Sequence, residues 1–171
     1  MIKQFLFIIL LAFSLTLQAQ TTFSSFDEVT ETSVDTNKPI LLIFQGSDWC
    51  APCIKFERNI WSTPAFQSYA EENLLILKAD FPRRKSNQLS AEQTLQNNEL
   101  AERYNPNGYF PFVLLLNPDL SIRKSFSYMD LNPEQMIEFL SEWFKNYTYC
   151  SFVWSRSIGV RVRSFAIRPS Y

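Results

Sequence analysis

The run PILLIFQG, residues 39–46, narrows the choice of fold for this chain. It is an unbroken apolar segment closed by a glycine, which is typical of a central β-strand covered on both faces. The runs LLILKADF at 74–81 and FPFVLLLN at 110–117 are also mainly apolar and are predicted to be the second and third buried strands. Helical patterns alternate with these runs, so the sequence predicts an α/β or α+β domain built on a mixed sheet.

Helix caps and apolar spacing place the helices between those strands. Ser25 with Glu28 forms a capping box for a first helix, and Asn132 followed by Pro133 begins a last one. The predicted helices run from Ser25 towards Asn37, from Cys50 towards Asn59, from Thr63 and Pro64 onward, over 98–104, and over 132–144.

Two connecting stretches complete the predicted domain. The polar stretch 82–98 is expected to be an exposed loop with a short helix, in preference to a docking site for a partner. Residues 121–129 alternate weakly and are expected to form an edge strand, paired with the 110–117 run through the turn NPDL.

Composition bounds the size of the core and the kinds of partner. The chain has 171 residues, 46% hydrophobic and 16% aromatic, which is enough for one domain of ordinary size. Its 16 lysines and arginines nearly balance 17 aspartates and glutamates. The charge therefore gives no reason to expect nucleic acid as a partner.

The first nineteen residues have the pattern of a secretory signal peptide. Lys3 precedes an apolar stretch from Phe5 to Leu17, and the small residue Ala19 offers a cleavage site. The apolar stretch is shorter than the roughly 20 residues that span a bilayer, which favours a cleaved signal over an anchor. We therefore predict an exported protein, periplasmic or otherwise extracytoplasmic, with no stable membrane insertion after cleavage.

The segment GSDWCAPCIKF, residues 46–56, places Cys50 and Cys53 directly after the first buried run. Such pairs occur in zinc sites, structural disulfides and redox centres. The chain has no histidine, and Cys150 is its one further cysteine, so four zinc ligands are hard to assemble. A disulfide across four residues would restrain the unfolded chain little. The redox interpretation is favoured, with no metal and no bound cofactor.

The position of Cys50 between a strand and a helix suits a reactive thiolate, because the free N–H groups of a helix start stabilise negative charge. Cys50 is predicted to be the acidic, exposed nucleophile, and Cys53 the thiol that resolves the mixed disulfide one turn later. Pro52 stiffens the turn between them. For Trp49 and Asp48, shaping of the surface beside the nucleophile and plain packing or solvation both stay open.

Three segments in this order resemble a thioredoxin-fold protein: IFQGSDWCAPCIKFE at 43–57, a second strand that ends at Asp80, and GYFPFVLLLNPD at 108–119. The resemblance runs from about Ser25 to Trp143. Within that superfamily the chain is similar to secreted bacterial thioredoxin-like proteins and to the periplasmic thioredoxin-like domain of transmembrane thiol:disulfide interchange reductases. The resemblance implies an α/β thioredoxin fold, with a central mixed β-sheet flanked by helices.

The resemblance also implies roles for single residues. Cys50 matches the attacking cysteine and Cys53 the resolving one. Pro111 matches the proline that is cis in this fold and lies beside the dithiol, where the backbone of the preceding residue, Phe110, pairs with an extended substrate strand. The predicted substrate groove comprises Trp49, Pro52, Phe110 and Pro111.

One position departs from the thioredoxin pattern. Thioredoxin has a buried acid six residues before its first cysteine, which assists proton transfer from the resolving thiol, but Phe44 stands at that position here. Lys55, Glu57 and water are the candidates left for this transfer.

Together these features predict an exported thiol:disulfide oxidoreductase, acting as a reductase on protein disulfides and served by an unidentified redox partner. The alternative is a thioredoxin-fold binding or chaperone module that holds unfolded chains beside Pro111 while its disulfide stays idle.

The predicted thioredoxin-like domain spans residues 20–143. Residues 144–171 carry five cations and no aspartate or glutamate. We predict a poorly ordered basic tail there, in preference to an added strand or a shifted reading frame. Within it, Cys150 is either an incidental thiol or the site of an intermolecular disulfide.

Overall fold

The computed structural model describes residues 22–143. The predicted signal peptide, the basic tail and Cys150 lie outside this range. The strands are β1 Thr22–Phe23, β2 Ile40–Gln45, β3 Leu75–Asp80, β4 Phe112–Leu116 and β5 Ile122–Phe126. The α-helices are α1 Phe26–Thr36, α2 Ala51–Phe56, α3 Pro64–Asn73, α4 Ala91–Tyr104 and α5, residues 133–143. A π-helical turn, Glu57–Trp61, continues α2, and a 3₁₀ turn, Lys85–Asn87, precedes α4.

The five strands form one mixed sheet in the order β1-β3-β2-β4-β5. β1 and β2 both pair with β3 in parallel, β4 is antiparallel to β2, and β5 is antiparallel to β4. The predicted mixed sheet is therefore confirmed. In the β2–β3 register Gln45 lies opposite Asp80, so both parallel strands end at the same edge of the sheet. The chain leaves β2 at that edge and enters the segment with the two cysteines.

The central position of β2 follows from its composition, since all six of its residues are buried. Side chains alternate along a strand, so Leu42 and Phe44 share one face. They pack there in a cluster to which α1 contributes Val29 and α4 contributes Leu100. Complete burial of such a side chain stabilises the fold by about 1.5–3 kcal/mol. This core holds the end of β2, and with it the start of the cysteine segment, in place.

The helix caps follow the sequence closely. The Ser25 hydroxyl accepts a hydrogen bond from the Glu28 backbone N–H, and the Thr63 hydroxyl accepts one from Phe66. Both are the N-cap bonds that the short polar side chains predict. The caps confirm the predicted starts of α1 and α3.

Helix α4 corrects the prediction for the polar stretch 82–98. The helix starts at Ala91 and runs through the predicted 98–104 segment, so the loop is shorter and the helix longer than expected. The helix is seated by polar contacts: Gln96 donates to the Ser24 carbonyl, and the buried Asn97 amide donates to the Asp80 carbonyl at 2.8 Å. Because amides take the place of apolar side chains on this face, hydrophobic spacing does not reveal the first two turns.

The short strand β1 is absent from the predicted elements. It pairs Thr22 with Ile76 and Phe23 with Leu77. Two residues carry no readable alternation, and their extended conformation depends on pairing with the edge of β3.

Residues 22–133 belong to one compact unit, and residues 134–143 to a second. The last helix is helical over 133–143, as Pro133 predicts, with Met136 and Leu140 buried. Within it the rings of Phe139 and Trp143 lie 6.5 Å apart. No helix within residues 22–143 is long and apolar enough to cross a membrane.

Candidate active site

The turn after β2 places Cys50 directly before the first residue of a helix. The Gly46 carbonyl accepts hydrogen bonds from the N–H groups of Trp49 and Cys50, at 3.3 and 3.0 Å. Cys50 is the N-cap residue of α2, and its sulfur accepts a hydrogen bond from the Cys53 N–H at 3.3 Å. Cys50 and Cys53 are joined in a disulfide, with their Cα atoms 5.2 Å apart. Both sulfurs therefore lie at the start of the helix, as the spacing predicts.

The burial of Cys50 differs from the sequence prediction. Cys50 is 4% exposed and Cys53 is 2% exposed, whereas an exposed nucleophile was expected. The Cys50 backbone is engaged on both sides, since its N–H donates to the Gly46 carbonyl and its carbonyl accepts from Ile54. In the disulfide form, the attacking position is therefore nearly as buried as the resolving one.

Trp49 is held between the turn and the chain that follows β3. Its indole N–H donates to the Phe81 carbonyl at 2.7 Å, and its ring lies edge-on to Phe110, with centroids 5.4 Å apart. These contacts bring together two of the predicted groove residues, Trp49 and Phe110. The Phe110–Pro111 peptide bond is cis, as the resemblance implied. Pro52 is exposed in the first turn of α2.

Gly46 leaves the space that the Trp49 indole fills. A Cβ atom on Gly46 would lie 2.3 Å from the indole Cε2, so the ring would have to move. We expect Gly46→Ala to lower the free energy of unfolding by about 1–3 kcal/mol, as overpacking does. Denaturant unfolding measures this loss. In a Trp49→Ala background the same change is expected to cost much less, and an equal cost in both backgrounds would contradict the steric explanation.

Asp48 anchors the loop that follows β3. Its carboxylate accepts hydrogen bonds from the backbone N–H groups of Arg83 and Arg84, both at 2.9 Å, and from the Asn87 side chain at 3.1 Å. The Arg83 N–H in particular keeps the pKa of Asp48 below its usual value. Asp48 therefore ties the segment before Cys50 to the loop after β3.

Asp80 and Ser47 form a further pair at this edge that sequence reasoning missed. The Asp80 carboxylate accepts from the Ser47 N–H at 2.8 Å and from the Ser47 hydroxyl at 2.6 Å. The available signal was the position of both residues at the ends of two buried runs, because parallel neighbouring strands end side by side.

The surroundings of Lys55 and Glu57 distinguish these two candidates for proton transfer. Phe44 is fully buried and stacks on Phe112 with centroids 6.4 Å apart, so this position offers no acid. Lys55 lies 3.0 Å from Asp130, and hydrogen bonding to Tyr128 and Asp130 raises the pKa of Lys55. A protonated lysine that already has partners is a poor acceptor.

Glu57 has different surroundings from Lys55. It pairs with Lys78 at 2.8 Å and lines a cavity of about 370 Å³ together with Cys53. Gln45, Ser47, Ile54, Arg58 and Ser62 complete the lining. Glu57 and the resolving cysteine therefore line one cavity.

A disulfide at the start of a helix, at the end of the central strand of a mixed five-stranded sheet, defines this protein as a thioredoxin-fold protein of the Cys-x-x-Cys type. The family model described as thioredoxin-like matches residues 21–118. The chain belongs to the thioredoxin-like family.

Two curated relatives come from Chlamydia pneumoniae. The chain is 36% identical over 93 residues to the disulfide bond reductase DsbH, which covers 54% of this chain and 55% of the relative. It is 25% identical over 103 residues to the thioredoxin-related protein DsbJ, covering 60% of this chain and 29% of that one. The chain thus spans about half the length of the first relative and less of the second.

Solved structures agree with the fold. A structure of DsbH oxidoreductase matches with a TM-score of 0.67 at 28% identity, over 74% of this chain and 86% of that one. A thioredoxin from Thermus thermophilus matches with a TM-score of 0.53 at 14% identity, over 75% and 88%. The second similarity concerns the fold alone.

Proposed function

We propose that this protein is an exported thiol:disulfide oxidoreductase that reduces disulfides of client proteins through Cys50 and Cys53. The observation that carries the proposal is the disulfide between these residues at the start of α2, where the Cys50 sulfur accepts the Cys53 N–H. Similarity to a protein named as a disulfide bond reductase supports the direction of the reaction. The signal-like residues 1–19 support export.

The reaction starts from the reduced dithiol. The Cys50 thiolate attacks one sulfur of a client disulfide, which forms a mixed disulfide and releases the other client sulfur as a thiolate. The Cys53 thiolate then attacks the Cys50 sulfur, and the client leaves with both of its cysteines reduced. Two electrons have passed to the client, and the protein is left with the Cys50–Cys53 disulfide. A separate redox partner must return two electrons for a second turnover.

The start of the helix favours the first step. The N–H of Cys53 points at the Cys50 sulfur, and the positive end of the helix dipole lies at the same place. Both stabilise a thiolate at Cys50 more than a neutral thiol, and the thiolate is the form that attacks a disulfide.

The second step requires Cys53 to lose its proton. Glu57 is the carboxylate that shares a cavity with Cys53, and its ion pair with Lys78 keeps it in place. We assign the proton transfer to Glu57, directly or through a water molecule in this cavity, rather than to Lys55.

A client would lie along the groove formed by Trp49, Pro52, Phe110 and Pro111. The backbone of Phe110 forms no hydrogen bond with the rest of residues 22–143, so it is free to pair with an extended client strand. Trp49 packs against Phe110 and directly precedes Cys50, which brings such a strand close to the nucleophile.

Redox titration tests the proposed function. We expect the Cys50–Cys53 pair to equilibrate with thiol buffers at a potential nearer that of thioredoxin, about −270 mV, than that of a strong oxidant such as DsbA, about −120 mV. The reduced protein is expected to reduce a disulfide-bonded test protein stoichiometrically. A pair that exchanges with neither glutathione nor the test protein would contradict the proposal and favour the binding module with an idle disulfide.

A further inference from the structure

A second cavity, of about 610 Å³, is lined by Trp49 and Phe110 of the proposed groove. The loop after β3 and helix α4 supply the rest of its lining. A client strand that pairs with Phe110 would therefore pass the mouth of this cavity. The residues lining it are Trp49, Phe110, the segment Asp80–Arg83, the pair Gln88–Leu89, and Thr94, Asn97 and Asn98 of α4.

Arg83 supplies a positive charge that has no ion-pair partner among residues 22–143. Its guanidinium lies 3.8 Å from the centroid of the Trp49 ring. This cation–π contact holds the guanidinium against a ring that lines the cavity. Across residues 22–143, no carboxylate forms an ion pair with Arg83. A guanidinium has five N–H donors in a planar fork that matches a carboxylate, and stacking leaves these donors free.

The acids near Arg83 are already engaged. Asp80 also lines the cavity, but both of its oxygens accept hydrogen bonds from Ser47. Asp48 accepts three N–H donors of the loop itself, including the Arg83 backbone. Neither carboxylate pairs with the Arg83 guanidinium, and both keep their negative charge because their hydrogen-bond donors are neutral.

The lining of the cavity also includes exposed neutral donors. The side-chain amides of Gln88 and Asn98 line it and form no hydrogen bond with other residues in the described range. The Asn97 amide, in contrast, is held by the Asp80 carbonyl and by Gln93. A free guanidinium and two free amides around an aromatic wall form a site for a carboxylate that carries a short aliphatic stem.

We infer that this cavity is a specificity subsite for an acidic side chain of the client, aspartate or glutamate, located within a few residues of the client cysteine that Cys50 attacks. The carboxylate would pair with Arg83 and accept hydrogen bonds from Asn98 and Gln88. The inference rests on the proposed function, because it assumes a client seated beside Phe110.

Peptides with a single disulfide test the subsite. A series with alanine, glutamate or lysine at each position within three residues of the cysteine is mixed with protein that has been reduced and freed of reductant. At low salt we expect glutamate at the preferred position to raise the second-order rate constant by about threefold to tenfold over alanine, and lysine to lower it. High salt should reduce the difference.

Matched variants separate this subsite from general charge attraction. Arg83→Ala is expected to bring the glutamate-to-alanine ratio close to one, and Asn98→Asp to reverse the preference. Arg84 lies on the same loop but outside the cavity lining, so Arg84→Ala should retain the ratio. Equal rates for glutamate and alanine, or equal losses in the two arginine variants, would overturn the inference.

Reduction of the alanine peptide shows whether a negative result concerns the subsite or the proposed reductase function. If it is reduced without any gain from glutamate, the subsite is wrong and the proposed function stands. If neither peptide is reduced, the subsite is tested separately from the reaction. The same peptides, with serine in place of cysteine, are titrated into the oxidised protein and their binding is measured by calorimetry. Tighter binding of the glutamate peptide, lost in Arg83→Ala, supports it, and equal binding refutes it.

Discussion

Replacing Cys50 with serine is expected to lower reduction of a disulfide-bonded test protein by more than about a hundredfold, down to the uncatalysed rate. A serine hydroxyl stays protonated at neutral pH. The Cys50 sulfur, in contrast, accepts a hydrogen bond from the Cys53 N–H and lies at the positive end of the helix dipole, and both favour the thiolate. The measurement is the turnover rate of purified protein with excess dithiothreitol as the electron donor. Unchanged turnover would refute the assignment of Cys50 as the nucleophile.

Two further cysteine variants make the result specific. Cys53→Ser leaves the nucleophile in place but removes the group that releases the client, so we expect a mixed disulfide between Cys50 and the test protein. Mass spectrometry and non-reducing electrophoresis detect this adduct. Cys150→Ser is the matched control, because it removes a thiol outside the pair and should retain full turnover. An adduct formed in Cys50→Ser instead would exchange the assigned roles.

Replacing Phe44 with alanine is expected to lower the free energy of unfolding by about 3–5 kcal/mol. The ring is fully buried near the C-terminal end of β2, stacks on Phe112, and belongs to the cluster that includes Val29 and Leu100. Its removal forfeits the transfer free energy of the ring and leaves a cavity beside the strand that leads to Cys50. Denaturant unfolding at constant redox state gives the value.

The controls for Phe44 separate cavity formation from a general effect of substitution. Phe44→Leu keeps most of the apolar volume and should cost clearly less than Phe44→Ala. Val34 is 65% exposed on α1, so Val34→Ala should change the stability by less than about 0.5 kcal/mol. A cost for Phe44→Ala similar to that of Val34→Ala would mean that the ring contributes little to the core.

The strand assignments show which elements can be predicted from the local sequence pattern. The runs at 39–46, 74–81 and 110–117 were predicted as buried strands and contain β2, β3 and β4, because an apolar run of that length has few other stable placements. The polar helix α4 shows where local pattern fails. Its Asn97 is buried and bonded to the Asp80 carbonyl, and a polar residue that is buried by a partner distant in sequence leaves no periodic signal.

The surroundings of the cysteines show the same division. The spacing of Cys50 and Cys53 after a buried run predicted a redox pair at the start of a helix, and the structure has that pair as a disulfide. The exposure of Cys50 was predicted wrongly, because exposure depends on the packing around a residue and not on its position along the chain. Residue roles assigned from the resemblance stay predictions until the variants above are measured.

The sequence by itself determined the buried strands, the helix caps and the position of the dithiol at the end of the central strand. These features depend on burial and on hydrogen bonds between residues a few positions apart, so they leave a local pattern. The tertiary structure alone decided that Asp48 anchors the loop after β3, that Glu57 rather than Lys55 faces the cavity of Cys53, and that Arg83 lies over Trp49 without an acidic partner in the described chain. The anchor, the cavities and the Arg83 stack join residues from separate elements, and they exist only once the sheet has brought those elements together.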